Sequence, residues 1–203
     1  MNKIKALCLL TFMSWWLAGC ALGPEKRDAP AVFDLGPQRI AQAAPVVINA
    51  TLLIAPVAAS PWLDSPNIYY RLTHTDASRP DAYAQHRWTM SPALLLTERL
   101  RARLASASRG VVTLQDGATA DYALRVELED FSQQFDGAQV SKVTARLRAS
   151  LIDQNTRALH AQRSFSVERP AAPNAAGAVQ ALSAAGDAVI EELAAWAAQS
   201  IKR

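Results

Sequence analysis

The chain has 203 residues, half of them apolar, two cysteines and a formal net charge of +3. That is the length of one domain with a sizeable core. Two of the positive charges, Lys3 and Lys5, belong to a leader, so the basic balance gives no support for nucleic-acid binding, which needs a concentrated basic face.

Lys3 and Lys5 precede an apolar run, residues 6–17 (ALCLLTFMSWWL). It is shorter than the roughly 20 apolar residues needed to span a bilayer, and it has the length and flanks of a secretory signal peptide. Leu17-Ala18-Gly19-Cys20 closes it and matches the bacterial lipobox, in which the cysteine thiol is acylated and the chain is cut just before it; the competing reading is an ordinary signal peptide with a chance cysteine. The expected organisation is a lipoprotein signal peptide over residues 1–19, cleavage between Gly19 and Cys20, lipid attachment at Cys20, a lipidated tether over 20–30 and a single periplasmic α+β domain over 31–203. Cleavage removes Cys8 and lipidation occupies Cys20, which leaves no thiol for a disulfide, a redox centre or a thiolate metal site. The N-acyl and S-diacylglycerol chains on Cys20, at about 0.8 kcal/mol per buried methylene, hold such a protein to its membrane almost permanently. Residues 21–30 (ALGPEKRDAP) are small, polar and proline-containing, and reach at most about 33–36 Å when extended.

Residues 32–35 (VFDL) form a short strand that Gly36 and Pro37 end. Residues 45–56 (PVVINATLLIAP) are β-branched on both faces and predict a strand buried on both sides. Residues 61–66 are a loop containing Trp62. Residues 68–72 (IYYRL) and 83–88 (YAQHRW) predict two strands of a hairpin joined by a long polar loop, 73–82. Ser91 and Pro92 start an amphipathic helix over about 92–107, by N-cap and first-turn preference. Its stripe is Ala93, Leu96, Leu100, Leu104 and Ala107, flanked by Glu98, Arg99, Arg101 and Arg103, and Gly110 stops it.

Three alternating strands follow at 121–131, 141–153 and 158–168, with turns at Asp136-Gly137 and Gln154-Asn155-Thr156. This register sets Glu127 and Glu129 on one face with Thr144, Arg146 and Arg148, acid opposite base. Asn174 caps a second helix over about 174–200, whose stripe is Val179, Leu182, Val189, Ile190, Leu193 and Ala197. Gly177 and Gly186 each weaken it by roughly 1 kcal/mol unless they serve close packing. The fold class is α+β: a mixed, mostly antiparallel sheet covered by two amphipathic helices.

No catalytic set emerges. His74, His86 and His160 are not at ligand spacing, and neither His-Glu-x-x-His, Cys-x-x-Cys, a Gly-x-Ser-x-Gly elbow nor a Gly-rich phosphate loop is present. Asp64, Asp76, Asp81, Asp130 and Asp136 sit in or beside predicted turns, where Asp serves local hydrogen bonding. The expectation is a protein that is not an enzyme, with no metal and no cofactor beyond the lipid on Cys20. The distinctive stretches are Tyr69-Tyr70-Arg71 and 83–92 (YAQHRWTMSP), because Tyr, Trp and Arg dominate protein interfaces. Tyr70, Arg71, His86, Arg87 and Trp88 are the candidate partner-binding residues. The competing reading packs Trp88 under the first helix and uses His86 or Arg87 to hold a loop.

In order along the chain, the lipobox, Phe33-Asp34-Leu35-Gly36, Ile54-Ala55-Pro56, Tyr69-Tyr70-Arg71, His86-Arg87-Trp88, Ser91-Pro92, the leucines Leu94, Leu95 and Leu100, and the strand over 122–131 together resemble the ABC-type transport auxiliary lipoprotein family. The resemblance implies a lipid-anchored periplasmic domain that assists MCE-type transport of lipids or other hydrophobic molecules between the two membranes, partnered by an MCE-domain protein of an ABC transporter system and open to homo-oligomer formation. It implies no ATPase, in keeping with the missing Walker motif. Ala21 stands where an inner-membrane retention signal usually shows Asp, which by resemblance to enterobacterial sorting favours the periplasmic face of the outer membrane. The polar loop 73–82 departs from the family pattern. Two alternatives stay open. A periplasmic lipid-binding carrier requires a continuous apolar cavity of at least roughly 300 Å³. A lipoprotein activator of a cell-wall enzyme requires a longer tether than residues 21–30 provide.

Overall fold

The computed structural model describes residues 29–38 and 46–202; the predicted signal peptide, its cleavage site, Cys20 and residues 21–28 of the tether lie outside the described residues. In chain order the elements are β1 (Ala31–Phe33), β2 (Ile48–Ile54), β3 (Ala58–Ala59), β4 (Asn67–Leu72), β5 (Asp76–Trp88), α1 (Pro92–Ala105), β6 (Ser108–Val112), a 3₁₀ turn (Leu114–Asp116), β7 (Tyr122–Gly137), β8 (Val140–Asp153), β9 (Leu159–Ala171) and α2 (Ala175–Ile201). Among the described residues all nine strands join one mixed sheet, and α1 and α2 cover one of its faces, the expected α+β arrangement. No helix among the described residues is long and apolar enough to cross a membrane.

The sheet is built around β7, which is 16 residues long. On one side it pairs with β8, antiparallel from Tyr122↔Asp153 to Gly137↔Val140. On the other side β2, β3 and β4 follow one another along it, all parallel, through pairs such as Leu52↔Tyr122, Ala58↔Glu127 and Tyr69↔Ser132. They act as a single strand interrupted at Pro56, Pro61 and Pro66, which have no N–H to give to a ladder. β6 continues the sheet beyond β2, β5 and then β1 continue it beyond β4, and β9 lies outside β8.

Alternation sets the core. Leu124, Val126 and Leu128 of β7 point to the helices with Val143, Ala145, Leu147, Ala149 and Leu151 of β8. A register shift between Leu128 and Asp130 then moves the inward set to Phe131 and Phe135. Against these pack Leu96, Leu100 and Leu104 of α1 and Leu182, Val189, Ile190 and Leu193 of α2, as their helical spacing predicts. Asn174 caps α2 as expected, its Oδ1 accepting from the Gly177 N–H at 2.8 Å. Gly186 serves the close packing: a Cβ there would lie 3.3 Å from Leu96 Cδ2 and 3.7 Å from the Phe131 ring.

The structure corrects several expectations. β2 has one buried face, not two: Ile48, Ala50, Leu52 and Ile54 are buried, whereas Asn49 is exposed and Leu53 half-buried, because the helices lie on one side of the sheet. The polar segment 73–82 is mostly strand. Only Thr73, His74 and Thr75 turn, and Arg71↔Pro80 and Leu72↔Asp76 are ladder pairs. This part of β5 is an edge, where polar residues and a proline are tolerated. α1 stops at Ala105, and Gly110 lies within β6, an edge strand parallel to β2. The first hairpin turns two residues later than expected, across Ala138-Gln139. Ser91 begins α1 through its carbonyl, which accepts from Leu94 and Leu95 N–H, while its buried hydroxyl makes no cap bond. Asp130 lies within β7, half-buried, rather than in a turn.

The largest correction concerns Arg99 and Arg103, read as the wet flank of α1. Both are buried. Arg99 Nη1 donates to Asp187 Oδ1 at 2.6 Å and its Nη2 to the Gly36 carbonyl, and Arg103 meets Glu191 through two bonds, Nε–Oε1 at 2.5 Å and Nη2–Oε2 at 2.9 Å. The partners are four apart on both helices, which makes a two-rung ladder between helices running in the same direction.

Candidate partner-docking surface

The sheet order brings β1, β5, β4 and β7 side by side, and one row of rings crosses them on the helix-bearing face. Phe33 stacks on His86 at 5.9 Å, His86 meets Tyr83 edge-on at 6.2 Å, Tyr83 lies 4.8 Å from Tyr70, and Tyr70 meets Phe135 edge-on at 5.9 Å. All four spacings lie in the attractive range for aromatic pairs, about 4.5–7 Å. Tyr83 and His86 are three apart, which a regular strand would send to opposite faces. The register shift between Asn67↔Arg87 and Tyr69↔Ala82 puts extra residues into β5 and lets both rings join the row. Phe33, Tyr70, Tyr83 and His86 are half-buried, so the row presents ring surface to solvent.

Polar bonds fix the middle of the row. The Tyr83 hydroxyl donates to Gln133 Oε1 at 2.6 Å, and Gln133 Nε2 donates to Ser141 Oγ at 2.8 Å and to the Ala172 carbonyl at 2.9 Å. Burial, with a smaller push from Tyr70, raises the Tyr83 phenol to about 12, so it remains a donor at any ordinary pH.

The five predicted partner-binding residues are not one site. Tyr70 and His86 belong to the row. Arg71 alternates with Tyr70 and faces the opposite side, its Cζ 5.0 Å over the Trp62 ring and its Nη1 3.2 Å from the Ser78 carbonyl. Arg87 is exposed. Trp88 is 1% exposed and packs in the core, its ring 6.0 Å from Phe131. Phe33, Tyr83 and Phe135 complete the row and were missing from the candidates, although Phe33 and Tyr83 sit in stretches the sequence singles out.

On the face opposite the helices, Arg148 pairs with Glu127 at 2.6 Å and Glu129 at 3.4 Å, as the hairpin register predicts. Thr144 of the same set is fully buried. Nearby, Asp130 accepts from Ser132 Oγ at 2.7 Å. Burial raises its carboxyl pKa, partly opposed by that bond and by Arg71 and Arg146. The histidines make structural contacts: His74 Nδ1 lies 2.9 Å from the Phe135 carbonyl and His160 Nε2 lies 3.0 Å from that of Ser200. Among the described residues no group of three His, Cys, Asp or Glu could hold a metal ion.

A mixed sheet with two helices on one face is a fold shared with solved structures. A Xanthomonas campestris protein aligns with 85% of this chain and 97% of its own at a TM-score of 0.75 and 20% identity. An uncharacterised protein aligns with 82% and 97% at 0.63 and 19%, and a hypothetical protein of Chlamydia trachomatis with 75% and 98% at 0.51 and 10%. These likenesses are of fold. No curated protein matches the chain. The model of the ABC-type transport auxiliary lipoprotein component family matches residues 33–194, and the chain belongs to that family. Membership makes it a membrane-anchored envelope lipoprotein associated with an ABC transport system.

Proposed function

We propose that this protein is anchored by a lipid on Cys20 in the periplasmic face of the outer membrane and docks a periplasmic MCE assembly of an ABC transport system, assisting the movement of lipid or another hydrophobic molecule. The family match over residues 33–194 carries this reading. The row's half-exposed rings, Phe33, Tyr70, Tyr83 and His86, supply the contact, since rings with fixed geometry bury large area at small entropic cost. The role involves no catalytic step and no cofactor. A lipid carrier is less favoured, because the layer between helices and sheet is filled by side chains such as Leu96, Phe131 and Leu193.

The test is a pull-down from detergent-solubilised envelopes. Wild type recovers an MCE-domain protein, and Tyr70→Ala/His86→Ala loses most of it while keeping the wild-type thermal unfolding midpoint. Failure of wild type to recover any MCE-domain protein overturns the partnership. Undiminished recovery by the double variant moves the contact elsewhere.

A further inference from the structure

β9 is the outer edge of the sheet. Among the described residues β8 is its one ladder partner, so along its outer side β9, from Leu159 to Ala171, leaves a row of backbone donors and acceptors without a ladder partner, Pro170 near its end alone having no N–H to give. α2 runs beside this edge, and two grooves lie between them. One, of about 550 Å³, is lined by Arg163, Trp196 and Ser200 among others, and the other, of about 280 Å³, by Arg169, Gly177 and Ala181 among others. Between the two, Phe165 is buried against Trp196, with ring centroids 5.6 Å apart.

The groove-facing side chains of β9 are Ala161, Arg163, Phe165, Val167, Arg169 and Ala171. Both charges in this set are guanidiniums on exposed residues, Arg163 lying 5.2 Å over the Phe165 ring. Neither arginine is in an ion pair among the described residues. They are six residues apart, about 20 Å along an extended strand.

We propose that this edge receives an extended segment of a partner protein as an added strand, and that the segment carries acidic side chains six residues apart facing the groove. Backbone pairing to β9 supplies affinity, and alternate side chains read the groove. The charge pattern selects the occupant. A second copy paired β9 to β9 would gather four guanidiniums on the groove side without an acid, and like charges across strands are destabilising. An acidic strand meets both arginines with opposite charge. The surface is separate from the aromatic row, which crosses the other half of the sheet, so either reading can fail without the other.

The test uses the full lipidated chain in detergent micelles and a fluorescent peptide of β9's length, built from Thr and Val with two glutamates six residues apart. Fluorescence anisotropy rises to saturation with wild type, and amide hydrogen exchange slows along β9. Arg163→Glu/Arg169→Glu weakens binding by about tenfold or more, Arg163→Gln/Arg169→Gln weakens it less, and a peptide with lysine for glutamate prefers the charge-reversed protein. N-methylation at alternate peptide nitrogens removes binding. Absence of binding, indifference to both arginine variants, or equal binding of the N-methylated peptide overturns the proposal, the last by showing charge attraction without strand pairing. Concentration-dependent self-association that protects β9 amides without peptide also overturns it, by giving the edge to a second copy.

Discussion

Tyr83 holds the aromatic row together, and its ionisation reports on that role. The unfolded phenol titrates near 10.0 and the folded one near 12, so the native state binds this proton more tightly. The associated stability is fully present below pH 10 and is lost as pH rises through 12. Wild type therefore loses urea resistance more steeply between those values than Tyr83→Phe; equal slopes would show that the phenol is not held as described. Trp88 is a stability residue: Trp88→Ala removes a core ring and is expected to cost about 3–5 kcal/mol in urea unfolding, so any binding defect in that variant reads unfolding. A variant with the wild-type urea midpoint would place Trp88 outside the core. Tyr70→Ala and His86→Ala, both half-exposed, are the substitutions that separate docking from folding.

At the scale of elements, the two-rung ladder between α1 and α2 dominates. Asp187→Ala leaves Arg99 buried without its carboxylate, and breaking such a pair typically costs about 3–5 kcal/mol. Arg99→Met/Asp187→Leu should recover much of that loss in the same urea titration, because apolar replacement of a buried pair is often neutral; no recovery would assign the stability to the pair's other contacts, that to the Gly36 carbonyl among them. The start of α2 offers a second check. A Cβ on Gly177 would lie 2.5 Å from the Ala172 carbonyl oxygen, so Gly177→Ala lowers the thermal midpoint although Ala is the better helix former. A raised midpoint would contradict that close approach.

These elements also show what the sequence could tell. β7, β8 and β9 were legible because each has one buried face, which alternation reports directly. β6 and the first half of β5 were not, since an edge strand with little buried surface carries no such pattern. Arg99 and Arg103 misled for a related reason: charges beside an apolar stripe read as solvated until their partners, 88 residues away in both bonds, are brought opposite them. The aromatic row is likewise assembled by register, and nothing in the spacing from Phe33 to Phe135 announces it.

At the scale of the whole molecule, the proposed reading makes the fold an attachment with two ends: a tether leading into β1 and a sheet whose far edge is β9. In the proposed reading Cys20→Ser moves the protein from the membrane to the soluble fraction on cell fractionation without shifting its unfolding midpoint; retention in the membrane fraction would place the anchor elsewhere. The tether also has a mechanical meaning. β1 adds only the pairs Ala31↔His86, Val32↔Arg87 and Phe33↔Trp88 to the sheet edge, and just beyond it Asp34 closes a turn on the Gly36 N–H at 2.7 Å while Arg99 grips the Gly36 carbonyl. In that reading a pull on the anchor loads β1 first, then the buried Leu35, and beyond it the Gly36 carbonyl held by Arg99. The three-pair ladder can shear away, taking Phe33 out of the aromatic row, before the load reaches Leu35 in the hydrophobic layer. Membrane tension would then be felt at the docking surface before it is felt by the core.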